Sequence, residues 1–302
     1  MRIIPVKSIN TRVKDPEPFI EFSEEEYLSG IIDCALSITS KPHKPIILVT
    51  GPSGSGKTGT SHRLKNELIQ MGYITHIISM DNYFIPLGND IDGVDLESPE
   101  RVDAALFQKQ TEKILRCEEI TLPVFDFANQ KRNTGMRFKR GENDLVIFEG
   151  IHALNPEVSG NLSDSANKVY VSVRTRLKGN SSGITLHPSK IRLMRRFVRD
   201  KLFRARSFSQ TMKNFDSVER GEELYIMPYK EHAEFDIDTF IPYEPCVYKK
   251  YILPDLKAAG KLSGLLASEL RMILEELEGF DDDFVPEWSL VREFIGGGSL
   301  ME

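Results

Sequence analysis

The chain has 302 residues, of which 40% are hydrophobic and 28% charged, a globular composition that argues against a disordered chain or a low-complexity scaffold. Its net charge of −6 argues against a general nucleic-acid coat. The longest apolar runs, such as Ile46–Val49, are far shorter than the ~20 residues of a membrane helix, and the first residues lack a signal peptide's apolar core. Three widely spaced cysteines, Cys34, Cys117 and Cys246, favour a reducing cytosol over a disulfide framework or a zinc site.

Residues 1–44 are expected to form an extension before the first strongly patterned element. Within it, Ser23–Ile38 is predicted to be a helix, with Ser23 as its N-cap and the acids Glu24–Glu26 in its first turn. Apolar residues at helical spacing would give this helix one buried face. The segment Lys41–Pro45, which contains two prolines, then ends it.

A strand–loop–helix–strand unit follows. Ile46–Thr50 is a continuous apolar run of the kind found in a central parallel strand. After a glycine-rich turn, a helix is predicted from about Lys57 to Met71, with Ile69 among its inward residues and Gly72 as its C-terminal stop. Ile74–Ser79 is predicted to be the second strand. This order is that of a βαβ unit, which predicts a parallel sheet covered by helices on both faces.

Further strands and helices alternate along the rest of the chain, which favours the α/β class. The predicted elements are a helix from Ser98-Pro99 to about Arg116, a β-hairpin of Ile120–Phe127 and Met136–Lys139 turning at Asn133–Gly135, strands at Asp144–Phe148, Lys168–Ser172 and Phe235–Ile241, a basic helix at Ser189–Arg206 and an amphipathic helix at Leu262–Leu277. We therefore expect an N-terminal extension over 1–44, one domain over 45–279 and a C-terminal tail over 280–302, which stays unassigned.

The glycine-rich turn carries the clearest chemical motif. Gly51–Thr58 fits the pattern G-x-x-x-x-G-K-[ST] without deviation. Such a loop turns consecutive backbone N–H groups towards an anionic phosphate at the positive end of the following helix. In this pattern the lysine reaches the β- and γ-phosphates and the hydroxyl ligates Mg²⁺. The predicted nucleotide contacts are Gly51, Ser53, Gly54, Ser55, Gly56, Lys57 and Thr58.

Two acids follow predicted strands, where ligands bind in parallel sheets. Glu149 ends the strand Leu145-Val-Ile-Phe and could bind Mg²⁺ directly or through water, although a helix-capping role is the alternative. Asp81 follows the second strand, and on this evidence alone it could equally be a turn residue. The motif indicates phosphate binding, which serves kinases, GTPases and other ATPases alike.

A strongly basic segment lies between residues 192 and 206. Arg192, Arg196 and Arg199 fall at helical spacing and share one face. Such arginines could surround a phosphoryl group during its transfer. They would then be carried by a mobile lid at about residues 189–215. A nucleic-acid stripe and a solvated face paired with acids such as Asp200 are the alternatives.

Taken together, these motifs resemble the uridine kinases, which belong with the phosphoribulokinases among P-loop small-molecule kinases. The resemblance covers about residues 45–250. The motifs that carry it are Gly51–Thr58, Ser79-Met-Asp-Asn-Tyr-Phe84, Leu122-Pro-Val-Phe-Asp-Phe127, Ile147-Phe-Glu-Gly150 and Arg195-Arg-Phe-Val-Arg-Asp200.

The resemblance implies roles for individual residues. It implies Asp81 as base towards the acceptor hydroxyl, Thr58 and Glu149 as Mg²⁺ ligands with Asp81 close enough to join them, and Lys57, Arg196 and Arg199 as catalytic cations. Arg204 would contact ATP from the lid. The implied acceptor contacts are Asp81, Tyr83, Glu97, Phe125, Gln130 and Arg196.

Three positions depart from the uridine kinase pattern. Glu97 stands where these kinases have an aspartate, Phe125 where they have a tyrosine, and Gln130 where they have a histidine that contacts the pyrimidine. The resemblance thus implies a cytoplasmic, ATP- and Mg²⁺-dependent kinase of a nucleoside 5′-hydroxyl, with altered base recognition. The alternatives are a kinase of another sugar-containing metabolite and a regulatory or RNA-associated P-loop ATPase. A homo-oligomer is left open, and no membrane partner is expected.

Overall fold

The computed structural model describes residues 2–41, 43–87, 94–160, 162, 165–259 and 264–299. The strands are β1 Ile3–Pro5, β2 Ile46–Thr50, β3 Thr75–Ser79, β4 Ile120–Asp126, β5 Lys131–Phe138, β6 Leu145–Glu149, β7 Ala166–Ser172, β8 Arg176–Lys178, β9 Thr185–Leu186 and β10 Phe235–Asp238. The helices are α1 Val6–Arg12, α2 Pro16–Thr39, α3 Lys57–Gln70, α4 Ala104–Leu115, α5 Pro156–Ser159, α6 Pro188–Phe203, α7 Phe208–Tyr225, α8 Glu244–Ala259, α9 Gly264–Glu276 and α10 Arg292–Ile295. Within the described ranges, none of the helices is long and apolar enough to cross a membrane.

The central sheet confirms the predicted α/β architecture. Its five strands run in the order β10-β7-β2-β6-β3, and every neighbouring pair is parallel. All five residues of β2 are buried, because helices cover both faces: Ile47 and Val49 pack into one hydrophobic cluster, and Ile46 and Leu48 into the other. Polar groups at the carboxyl ends of β2, β3 and β6 therefore meet at one edge.

The N-terminal residues pack on this sheet. Val6 of α1 and Ile31 of α2 are fully buried in the same cluster as Val49. The helix predicted to begin at Ser23 begins seven residues earlier, at Pro16. Proline suits the first position of a helix, because the N–H that it lacks would have no partner within the helix there. Ser23 is therefore not an N-cap: it is buried, and its hydroxyl donates to the Phe19 carbonyl one turn back at 2.6 Å.

The hairpin exists, but its predicted turn is wrong. β4 and β5 pair antiparallel across residues 127–130, so Asn133–Gly135 lies within β5. Asp126 makes the turn, since its carboxylate accepts the backbone N–H groups of Ala128 and Asn129 at 2.9 and 3.0 Å. Gly135 is needed for another reason: a Cβ there would lie 2.7 Å from the Leu122 carbonyl oxygen across the ladder.

Smaller corrections concern helix limits. The helix predicted from Ser98 begins at Ala104 with Asp103 as its N-cap, and Pro99–Arg101 forms a separate 3₁₀ turn. Ile69, predicted to face inward, is 47% exposed. The basic helix ends at Phe203, and helices α7 and α8 were not predicted. Residues 262 and 263 of the predicted last helix lie outside the described residues.

Candidate active site

The glycine-rich loop joins β2 to α3 and rests on α6. Gly54 and Gly56 have φ angles of +76° and +86°, which favour glycine. A Cβ on Gly54 would come within 3.0 Å of the Arg192 carbonyl oxygen, so only a bare backbone can approach α6 this closely. Gly51 packs in the same way against β7, since a Cβ there would overlap the Val171 carbonyl oxygen at 1.9 Å.

Three arginines of α6 hold the loop from beneath. Arg192 donates to the Ser53 carbonyl at 3.1 Å, and Arg196 donates to the Ser53 hydroxyl. Arg195, fully buried, donates to the Gly54 and Ser55 carbonyls at 3.2 and 3.0 Å and pairs with Glu244. Because Arg192, Arg195 and Arg196 are all buried, they do not form the exposed stripe that the nucleic-acid alternative requires.

A carboxylate and two hydroxyls converge at the end of the central strands. The Thr58 hydroxyl, in the first turn of α3, donates to Glu149 Oε1 at 3.4 Å. The Ser79 hydroxyl, at the end of β3, donates to the same oxygen at 3.3 Å. Oxygen donors of this kind suit Mg²⁺, which is usually bound through one or two carboxylates together with substrate phosphates. The residues present therefore fit the expected metal.

Asp81 lies beside this group, in a 3₁₀ turn after β3. Its pKa is raised to about 6, chiefly by burial and then by the nearby Glu149 carboxylate, while Lys57 opposes both effects. The turn is fixed by Ser79, whose hydroxyl accepts the Asp81 N–H at 3.3 Å. Asp81 is thus a half-buried carboxylate that can bind a proton near neutral pH.

One cavity of about 1090 Å³ contains this group. Its polar end consists of Lys57, Thr58, Asp81, Glu149, Arg196, Arg199 and Arg204. Asp200 anchors the basic side of that end: it is fully buried, and its carboxylate lies 3.5 to 3.7 Å from Arg199, Arg204 and Arg206. Asp200 thus attracts these arginines and keeps their side chains at the cavity.

What we call the aromatic end of the cavity consists of Phe84, Phe125, Phe127 and Gln130. The three rings contact one another edge to face, with centroids 5.1 to 6.0 Å apart. Phe125 is buried, whereas Phe127 is 55% exposed. Gln130 lies in the hairpin turn at φ +50°, and its amide donates to the Phe127 carbonyl at 3.0 Å.

Tyr83 is a correction to the predicted acceptor contacts. Its side chain is fully buried in the core, where the ring packs against Phe107 with centroids 5.2 Å apart. Its hydroxyl donates to Gln110 at 2.8 Å. In the motif Ser79–Phe84 it is the following residue, Phe84, that faces the cavity.

Helix α7 contributes a wall that the sequence did not predict. Asn214, Ser217 and Val218 line the cavity. Gly221 lets α7 approach the loop that carries Glu97, because a Cβ at Gly221 would come within 2.4 Å of the Glu97 Cβ. Burial raises the pKa of Glu97, and Arg196 opposes the rise.

The C-terminal residues also reach the cavity. Glu293 lines it, and the Glu293 carboxylate accepts the backbone N–H of Gly59 at 2.9 Å. Leu290 packs on Gly56 and Gly59, where a Cβ would lie 3.0 and 2.5 Å from its methyl groups. The apolar residues of the run Leu290-Val-Arg-Glu-Phe294 are spaced as in a helix. That spacing does not indicate that the run packs on the glycine-rich loop, because this contact joins residues far apart in the chain. The sequence therefore could not place it.

Comparison with known proteins agrees with this geometry. The model of the phosphoribulokinase / uridine kinase family matches residues 46–242. The chain belongs to this family. It is 30% identical over 196 residues to a uridine kinase of Borrelia duttonii, covering 64% of this chain and 85% of that protein. A uridine kinase of Lactobacillus helveticus is 30% identical over 204 residues, with 64% and 86% covered.

The fold is also found in a solved structure. A possible uridine kinase from Bacillus stearothermophilus matches with a TM-score of 0.50 at 15% identity, covering 70% of this chain and 99% of that one. Membership of the phosphoribulokinase / uridine kinase family makes the protein a P-loop kinase, a phosphotransferase with an alcohol acceptor. ATP use follows from the family.

Proposed function

We propose that this kinase transfers the γ-phosphoryl group of ATP to the 5′-hydroxyl of a nucleoside. The observation that carries the proposal is that one cavity joins the loop lysine, a carboxylate of raised pKa and an aromatic wall. Its volume of about 1090 Å³ exceeds the ~300–1,000 Å³ of an ordinary small-molecule pocket. This size supports two substrates bound side by side.

Asp81 takes the proton of the acceptor hydroxyl. A general base works best when its pKa lies near the working pH, and burial beside Glu149 raises the pKa of Asp81 to about 6. As the hydroxyl oxygen forms its bond to the γ-phosphorus, its proton passes to the Asp81 carboxylate and the bond to the β-phosphate oxygen breaks. The acid at this position distinguishes a kinase from a simple ATPase.

Cations of the polar end stabilise the charge that moves during transfer. Lys57 enters from the first turn of α3, and Arg196, Arg199 and Arg204 enter from α6 and its C-terminal end. We propose that the segment after Phe203 acts as the lid that excludes water. Thr58 and Glu149 would hold Mg²⁺, which when bound neutralises the β- and γ-phosphate oxygens.

The aromatic end supports a nucleoside as acceptor. A flat base can stack on the exposed face of Phe127, a contact that tolerates different bases. Glu97, which lines the same cavity, can accept hydrogen bonds from ribose hydroxyls. Phe125 and Gln130, which depart from the uridine kinase pattern, favour a second candidate: the same transfer to another sugar-containing acceptor.

The test is an ADP-release assay combined with mass analysis of the product. Uridine and cytidine should each stimulate ADP release and give a monophosphate, whereas 5′-deoxyuridine, which lacks the attacking hydroxyl, should give neither. ADP release that is equal with and without acceptor would contradict a kinase function. Product from a sugar-containing metabolite but not from any nucleoside would establish the second candidate instead.

A further inference from the structure

The first turn of α3 presents backbone N–H groups that lack partners within the helix, as every helix N-terminus does. The intrahelical series begins with Thr60, whose N–H donates to the Gly56 carbonyl at 2.9 Å. Gly59 therefore carries the last free donor before that series. In a loop of this pattern, such N–H groups bind the phosphates of the nucleotide.

A carboxylate of the same chain already occupies this donor. Glu293 Oε2 accepts the Gly59 N–H at 2.9 Å. Glu293 lines the cavity. Burial raises the pKa of its carboxyl group, and the Gly59 N–H together with the positive charges of Arg199 and Lys57 opposes that rise. These are surroundings that would equally attract a phosphate.

The carboxylate is seated by packing rather than by a chance surface contact. Leu290 is 1% exposed and Phe294 is fully buried, and the Arg195 guanidinium lies 5.1 Å from the centroid of the Phe294 ring. Ser289 holds the start of the segment, with its hydroxyl 2.8 Å from that of Tyr243. Trp288 lies under the Arg63 guanidinium of α3 at 5.0 Å.

We propose that residues 285–296 form an autoinhibitory latch, in which the Glu293 carboxylate occupies a phosphate position at the N-terminus of α3 and must be displaced by the nucleotide. Two anions cannot share one N–H donor, and like charges brought together at a binding site strongly oppose binding. The latch rests on the proposed function only in requiring that this loop binds a nucleotide.

The alternative is that Glu293 is an ordinary helix cap, which favours the positive end of α3 at all times. The two explanations differ in what Glu293→Gln does. Loss of a cap lowers stability and leaves nucleotide affinity unchanged. Loss of the latch charge raises affinity for phosphate-bearing ligands, because the competing anion is gone.

Titration calorimetry on the full chain tests this, with Mg²⁺-ATP and with adenosine, which has no phosphate. Glu293→Gln should bind Mg²⁺-ATP at least about tenfold more tightly than the wild type, with no change for adenosine. Glu287→Gln, which removes an equal charge from an exposed site in the same segment, should match the wild type for both ligands.

Hydrogen exchange gives a second readout on the wild type. Saturating Mg²⁺-ATP should accelerate amide exchange in residues 285–296, because the displaced segment loses its packing. Equal or weaker ATP affinity in Glu293→Gln, or slower exchange in this segment on binding ATP, would overturn the latch while leaving the nucleotide site intact. Failure of every variant to bind Mg²⁺-ATP would instead contradict the nucleotide site and the proposed function with it.

Discussion

The two ends of the cavity are built by different means. At the polar end, side chains are fixed by hydrogen bonds and ion pairs: Glu149 receives hydrogen bonds from two hydroxyls, and Arg199 and Arg204 lie 3.7 and 3.5 Å from the carboxylate of the fully buried Asp200. At the aromatic end, Phe127 is 55% exposed and Gln130 bonds within its own turn. Rigid placement serves a reaction that tolerates little displacement, whereas an exposed hairpin can change with the acceptor.

This contrast indicates that the transfer chemistry and the choice of acceptor are separable in this chain. The polar end keeps every residue type that the uridine kinase resemblance implies for it. The three departures, Glu97, Phe125 and Gln130, all line the cavity, at positions where the resemblance implies acceptor contacts. Substitutions at the polar end should therefore change turnover with any acceptor, and those at the other end should change which acceptor is used.

The largest effect is expected at Asp81. Asp81→Asn keeps the shape of the side chain but cannot take a proton, so kcat should fall about 10²–10⁴-fold while ATP still binds. Steady-state kinetics and ATP titration measure the two properties separately. Asp33→Asn is the matched control, because it makes the same chemical change at an exposed residue of α2. Unchanged kcat in a folded Asp81→Asn protein would make Asp81 a turn residue only.

Lys57→Ala comes next. It removes a point charge from the loop and leaves the backbone N–H groups in place, so turnover should fall at least ~10²-fold, the usual cost of losing one stabiliser of transition-state charge. The loss should be the same for every acceptor. Lys65→Ala, further along the same helix, controls for the loss of a lysine. Near-normal turnover would remove the loop lysine from the mechanism.

The sequence predicted the polar end better than the rest, for a physical reason. The motif around Lys57 and the strand ending in Glu149 are local patterns, and their positions follow from the common edge of a parallel sheet. The prediction of a turn at Asn133–Gly135 was wrong because Gly135 allows two strands to approach closely. From the sequence alone, a glycine that serves this purpose looks the same as a glycine in a turn. Glu293 and α7 reach the cavity through contacts far apart in sequence, and no local pattern specifies such partners.

Gly221→Ala tests whether α7 holds the acceptor region in place. The new Cβ would overlap the Glu97 Cβ at 2.4 Å, so α7 and the Glu97 loop must separate. We expect KM for the acceptor to rise by up to ~10²-fold, since small displacements of positioning groups can cost that much, with little change in ATP affinity.

Overpacking at Gly221 should also cost about 1–3 kcal/mol of stability, which thermal unfolding measures. Gly30→Ala in α2 is the matched control, because a Cβ there meets nothing within 4 Å. That variant should gain about 0.5–1 kcal/mol from helix propensity and keep its kinetics. An equal KM in the wild type and Gly221→Ala would show that α7 does not position the acceptor.

The smallest effect, on acceptor choice, is expected from Phe125→Tyr combined with Gln130→His, which restores the residue types of the uridine kinase pattern. Two regained polar groups, each worth about 0.5–1.5 kcal/mol net in a neutral hydrogen bond, should raise kcat/KM for uridine about tenfold. The value of kcat, which depends on the polar end, should stay the same. Phe125 is buried, whereas Gln130 lies in the turn at φ +50°. The Phe125→Tyr variant alone therefore tests a buried contact, and the Gln130→His variant alone tests a contact from the turn. If the double variant leaves kcat/KM for uridine and cytidine unchanged, the Gln130 amide already replaces the imidazole and these two positions do not set the base preference.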